Sequence, residues 1–349
     1  MSPSQFKSVL IQGIADLYPG YFAFVMATGI ISIAAYLLEM PWAAWALFGI
    51  AQVAFVVLWV LTLARLVYFF PRLLSDLTDH ARGPGFFTLV AGTGVLGRDF
   101  ILLAGDKILS LVLWFLAAVL WFVLMYTFFA ATTVRETKPT LENGLNGGWL
   151  LAVVATQSVS LLGTRIAAQL PAWQHPILFF TLILYLIGCA LYLFITSLIF
   201  YRFMYFRLLA DAITPPYWIN MGAVAITTLS GATLISSAAD WSILQDLQTF
   251  LKGFTLFFWS IGTWWIPLLV VLGVWRHLVK RVPLSYDPQY WGMVFPLGMY
   301  TVCTFELARV LQLDFLLIVP RYFIYIAILA WLATSAGLLG RIARVLTSQ

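Results

Sequence analysis

Ten apolar stretches follow one another along this chain with only short connections between them. They lie near 18–38, 43–69, 84–104, 107–131, 148–168, 176–201, 217–238, 247–275, 290–311 and 316–340. A helix that crosses the hydrocarbon core of a bilayer needs about 20 apolar residues, so each stretch is long enough to span. Of the 349 residues, 62% are hydrophobic and 9% charged, whereas a soluble domain carries charge on about a quarter of its residues. Too few charges remain to coat a water-facing surface, and lipid must be the main solvent.

The spacing therefore predicts an all-α polytopic membrane protein with ten transmembrane helices. The short connections leave no room for a soluble domain, so residues 1–349 read as a single transmembrane domain. The opening "MSPSQFKSVLIQGIADLYPG" has one lysine, an interrupted apolar stretch and no small-residue cleavage pattern. It reads as a short cytoplasmic or interfacial segment over 1–17 rather than a removable signal peptide. Cys189 and Cys303 lie alone in apolar stretches and support neither a disulfide framework nor a thiolate metal site.

Basic residues set the orientation. Thirteen of the 19 Lys and Arg residues fall in the even-numbered loops and the two termini, among them Arg65, Arg72, Arg82, Arg135, Arg276 and Arg341. Positive residues concentrate on the cytoplasmic side, which predicts that both termini are cytoplasmic; the membrane expected for this multi-pass protein is the plasma (inner) membrane. The modest net charge of +5 follows from that bias and is no sign of nucleic-acid binding.

The spans also differ by parity. Odd ones are rich in Gly, Ser and Thr, as in "GPGFFTLVAGTGVLG" and "INMGAVAITTLSGATLISS"; most even ones are heavier, as in "LSLVLWFLAAVLWFVLMYTFF". Small and hydroxyl residues let helices approach closely, and they can also line water. The simplest arrangement is five helical hairpins, with odd helices lining a central pore and even helices forming an outer ring. Gly29, Gly94, Ser158 and Thr227 are then candidate pore-lining residues. The alternative is that small residues serve helix packing alone.

Breaks in the odd helices carry the functional signal. Pro296 lies inside the ninth stretch, directly after Phe295. It removes the hydrogen bond to the Gly292 carbonyl and kinks the helix there. Beside such a break, Phe295 reads either as a ring that narrows a small-residue path and closes it by steric block and dewetting, or as ordinary packing. Ionisable groups inside spans are unusual and point to function. Arg165 and Arg309 fall near the outer ends of odd spans, as do Arg98 and Asp99 in "GRDF". Arg165 and Arg309 are candidates for attracting anions, since the guanidinium fork fits carboxylates. Glu306 shares a helix face with Arg309 and is a possible proton carrier or ion-pair partner; a structural pair near the interface is the competing reading.

Enzymatic readings find no set of residues to act. His80, His175 and His277 lack the spacing of a metal pair, no base stands near the Ser and Thr residues, and "GTGVLG" follows no strand. No catalytic residue, metal or cofactor is expected.

Four stretches, "YFAFVMATGIIS" (21–32), "PPYWINMGAVAITTLSG" (215–231), "WWIPLLVVLGVWRH" (264–277) and "YWGMVFPLGMYTVCTFELA" (290–308), resemble the tellurite-resistance/dicarboxylate transporter family. That family includes fungal malate permeases, fungal sulphite efflux pumps and plant guard-cell slow anion channels. The resemblance implies ten helices in five quasi-repeated hairpins, a pore within the odd helices, a homotrimer with one pore per protomer, and a gating phenylalanine that maps onto Phe295. It implies small anions as substrates: dicarboxylate, sulphite, chloride or nitrate. The expected function is an anion transporter or channel, first for C4-dicarboxylates such as malate. A sulphite or other small inorganic anion exporter is the alternative, and a non-transporting membrane scaffold or enzyme subunit the third.

Overall fold

The computed structural model describes residues 10–347, so the expected interfacial segment over 1–17 is seen only from Leu10, where residues 10–15 are helical. Ten helices among the described residues are long and apolar enough to cross a membrane. They are α1 (Pro19–Leu37), α2 (Pro41–Tyr68), α3 (Gly83–Ala104), α4 (Lys107–Val134), α5 (Gly147–Ala167), α6 (Pro171–Tyr205), α7 (Pro215–Ser236), α8 (Gln248–Val279), α9 (Pro288–Leu311) and α10 (Asp314–Arg344). Most boundaries fall within a few residues of the apolar stretches. The largest difference is α6, which continues through "YRFMY" to Tyr205; aromatic and basic residues suit the headgroup region, so the helix need not stop where the hydrocarbon does.

Each odd helix opens with a turn of 3-10 helix: Pro19–Phe22, Gly83–Phe86, Gly147–Leu150, Pro215–Trp218 and Pro288–Tyr290. Proline costs little there, because the first N–H groups of a helix have no intrahelical partner. All five turns lie on one side of the protein, called here the near face. They touch one another in a closed cycle. A Cβ on Gly147 would collide with the backbone of Pro216, so this junction admits only glycine without a shift.

Above the turns the odd helices themselves close a ring in the order α1, α3, α5, α7, α9 and back to α1. Residues without bulk make every junction. A methyl at Gly29 on α1 would lie 2.6 Å from Asp99 of α3, and one at Gly94 on α3 would lie 3.0 Å from Ser158 of α5. The Ser230 hydroxyl of α7 donates to Ser160 of α5 at 3.0 Å. Gly222 of α7 receives the Pro296 ring of α9, and Gly298 of α9 receives Ile30 and Ile31 of α1.

Even helices lie outside this ring, each against the odd helix before it. Of the most apolar 18 residues of each odd helix, between 78% and 94% are buried in the protein, against 22% to 50% for the even helices. The even helices also reach the next odd helix through tryptophan. The indole N–H of Trp121 donates to Thr156 at 2.8 Å, that of Trp259 to Thr304 at 3.0 Å, and that of Trp331 to Thr28 at 2.9 Å. Trp114 donates to the Val159 carbonyl at 3.1 Å. In a medium where apolar side chains gain little by touching each other, such bonds and close contacts hold helices together.

At the near face, buried Arg65 ties the start of the chain to the end of α2. Its guanidinium donates to the carbonyls of Ala15 and Leu17 and bonds Asp76 at 2.6 Å; Asp76 also accepts from Nη2 of Arg82 at 3.0 Å.

The ring junctions make a direct prediction. A methyl at Gly222 would sit 2.6 Å from Cγ of Pro296, a ring that cannot rotate away. Gly222→Ala should cost about 1–3 kcal/mol, the usual penalty of overpacking, read as a lower melting temperature in detergent. Gly49, exposed on α2 with open space around its Cα, is the comparison, and Gly49→Ala should not lower stability. Equal losses at both sites would contradict the α7–α9 contact.

Candidate functional site

The faces of α9 are fixed by what they touch. Pro296 meets Gly222 of α7 and Gly298 meets Ile30 and Ile31 of α1. The Tyr300 hydroxyl lies 2.8 Å from Thr263 of α8, and its ring is 5.0 Å from that of Phe323 of α10. Those contacts use the two ring junctions and the outer side. At 3.6 residues per turn, one face is left, and it carries Phe295, Met299, Val302 and Glu306 in succession. It points to the interior of the ring. Phe295 is 1% exposed there, and Pro296 lies inside the continuous helix Trp291–Leu311.

Three turns above Phe295, on the same face, Glu306 bonds Arg98 of α3, Oε1 to Nη2, at 3.1 Å. The sequence favoured Arg309 as its partner; the structure supplies Arg98, 208 residues away in the chain. Helices α3 and α9 are not neighbours in the ring, since α1 packs on both. The Arg98 side chain therefore extends from α3 across the interior to α9, near the far face. Arg165 stands in the last turn of α5, the helix beside α3 in the ring.

Arg98 is only half satisfied. Its side chain is 5% exposed, and Nη1 is buried without a hydrogen-bond partner. Its neighbour Asp99 turns to the α1 junction, fully buried, with neither carboxylate oxygen hydrogen-bonded. The Ser32 hydroxyl of α1 stands beside it but donates to the Ala44 carbonyl, at 2.8 Å. A π-helical turn, Phe100–Ala104, follows directly; such turns recur at functional sites.

Arg309 lies elsewhere. It is exposed, its guanidinium stacks 4.7 Å over the Phe305 ring, and it lines a far-face groove of about 510 Å³ with Glu39 and Arg321. Glu306 and Arg309 are three residues apart, but only Glu306 faces the ring interior. Of the small residues singled out in the sequence, Gly29, Gly94 and Ser158 sit at helix junctions, and the Thr227 hydroxyl donates to Ala223 of its own helix at 2.7 Å; all four are buried.

The profile of the voltage-dependent anion channel family, SLAC1, matches residues 16–339. The chain belongs to the SLAC1 family. It is a multi-pass integral membrane protein of a family of transporters and anion channels, and its substrates are of the small-anion class. An uncharacterized membrane protein of Mycobacterium tuberculosis (strain H37Rv) is 36% identical over 153 residues, which are 44% of this chain and 77% of the relative. An uncharacterized transporter of Methanocaldococcus jannaschii is 25% identical over 295 residues, 82% of each chain. A second transporter of that organism is 24% identical over 299 residues, 83% of this chain and 84% of its own.

Arg98 could be seen in the sequence as a basic residue within a span, but nothing local linked it to Glu306. The junction role of Asp99 can be tested by pairing. Gly29→Ala should lower the melting temperature, because the new methyl meets Asp99 Oδ2 and lies 2.9 Å from Val95. Asp99→Ala in the same chain should recover part of that loss, a coupling of about 0.5–3 kcal/mol. Strictly additive losses would place the Asp99 side chain away from α1.

Proposed function

We propose that this chain passes small anions through the interior of the ring of odd helices, C4-dicarboxylates such as malate first, with Phe295 as the gate. The observation that carries this reading is the interior face of α9. It bears a buried aromatic ring beside an in-helix proline and, three turns further, a carboxylate paired with an arginine from across the ring. A ring of apolar bulk across a narrow path blocks ions by size and by excluding water, while arginines at the far end favour anions. Membership of a transporter and anion-channel family supports the same reading. In it, the ten helices form five quasi-repeated hairpins of one transmembrane domain in the plasma membrane. Both termini are cytoplasmic, and three protomers assemble, each with its own path.

Uptake of labelled malate, sulphite and chloride into proteoliposomes tests the class of substrate. Malate should move fastest above a protein-free control; if none of the three moves, the transport reading falls. Phe295→Ala leaves Pro296 in place and should raise anion flux several-fold, most plainly as larger conductance in a planar bilayer, while anions remain preferred over cations. Leu297, buried on the opposite face of α9, is the control. Leu297→Ala should not raise flux, and a buried Leu→Ala change typically costs about 2–5 kcal/mol of stability. A normally folded Phe295→Ala protein with unchanged or lower flux removes Phe295 as the gate.

Arg165 and Arg309 separate by position. Arg165→Gln should lower uptake of divalent anions more than of monovalent ones, because Coulomb attraction scales with ligand charge. Arg309→Gln, at an exposed groove, should change uptake less. An equal loss for both anion types at reduced protein level would favour a structural role for Arg165.

A further inference from the structure

Buried ion pairs made for stability have their fork fully used, because each unpaired donor or acceptor in a low-dielectric interior is costly. The pair between Arg98 and Glu306 does not fit that description. Glu306 takes only Nη2, at 3.1 Å, and Nη1 stays buried with no partner. Carboxylates prefer to bind arginine through two parallel N–H bonds. The two side chains also differ in access: Arg98 is 5% exposed and Glu306 16%. The base is the fixed, enclosed partner, and the acid is the one nearer to water.

From this geometry we infer that Arg98 is the far-face binding site for a carboxylate group of the transported anion, and that Glu306 is the chain's own carboxylate holding that site between passages. The inference rests on the anion-transport reading above. An incoming carboxylate takes both prongs of the guanidinium, including the one Glu306 leaves unused, and displaces Glu306 towards the far vestibule. When the anion leaves, Glu306 returns, so the arginine is not left bare in the interior.

The surroundings favour this exchange. Arg165 stands in the last turn of α5, the ring neighbour of α3, at the same far-face end. Asp99 is turned to Gly29 and Ser32 of α1, and Arg309 stacks on Phe305 outside the ring. Glu306 is thus the carboxylate positioned to compete with the ligand. It stands on the same face of α9 as Phe295, 11 residues on. At about 1.5 Å per residue, roughly 16 Å of path separates the two. An anion accepted by Arg98 therefore comes next to the aromatic ring.

Four proteins in proteoliposomes test this: wild type, Glu306→Gln, Arg98→Gln and the double variant, each with malate uptake measured against concentration. Removing the internal competitor should lower the half-saturating malate concentration of Glu306→Gln about tenfold, and Arg98→Gln should raise it by at least as much. In the double variant both members of the pair are gone and neither is left facing an empty place, so folded yield should match wild type while half-saturation stays high. A structural ion pair predicts otherwise: reduced yield in both single variants, with yield and half-saturation restored in the double. That result overturns the inference, as does an unchanged or raised half-saturation in well-folded Glu306→Gln. Should Glu306→Gln fail to fold, melting temperatures in detergent still decide. Malate should raise that of wild type and not that of the double variant, and equal shifts overturn the inference. If wild type itself moves no anion, the transport reading fails first; if wild type moves malate and neither residue alters half-saturation, only the site at Arg98 and Glu306 is lost.

Discussion

Close contact between five helices made of small residues is the constraint on which the rest of this protein depends. Lipid tails are as apolar as leucine, so helices in a membrane gain little from apolar burial and associate through packing and hydrogen bonds. Glycine and serine at the junctions bring the backbones of α1, α3, α5, α7 and α9 within reach of one another, as Gly222 does for Pro296 and Gly298 for Ile30 and Ile31. Once that ring is closed, the bulky helices have one place to go. They lie in its outer grooves, where Trp121, Trp259 and Trp331 bond hydroxyls of the inner helices.

The closed ring also creates the one setting in which charges can be kept at depth. A charge facing lipid is costly; a charge facing its counterpart across an enclosed interior recovers part of that cost. Arg98 and Glu306 meet there at 3.1 Å, although α1 stands between their helices in the ring. The same interior face of α9 holds Phe295, so steric and electrostatic control of one path would come from a single helix. The proline beside Phe295 is accommodated because its ring fills the hollow left by Gly222, within a helix that runs continuously from Trp291 to Leu311.

Much of this was legible in the chain. Ten apolar stretches fixed the number of spans, since length against bilayer thickness needs no knowledge of packing. Parity of residue size anticipated which helices would be buried, because bulk faces lipid and small residues face other helices. Pro296 and Phe295 stood out because they are adjacent, and adjacency is visible in a sequence. The tryptophans of the even helices were read only as bulk, and their N–H bonds to inner hydroxyls were missed because periodicity carries no record of which partner lies across a groove.

The sequence by itself determined the solvent of this protein, the count of its helices and their division into inner and outer sets, all of which follow from local hydrophobicity and side-chain size. Only the tertiary structure decided how the ionisable residues combine. From spacing, Glu306 and Arg309 formed the natural pair, one turn apart on α9. In the folded chain Arg309 stacks over Phe305 at the exposed edge, and Glu306 turns inward to an arginine 208 residues away. The physical reason is that a helix fixes the directions of its side chains relative to one another, while the placement of neighbouring helices decides which of those directions lead to the interior.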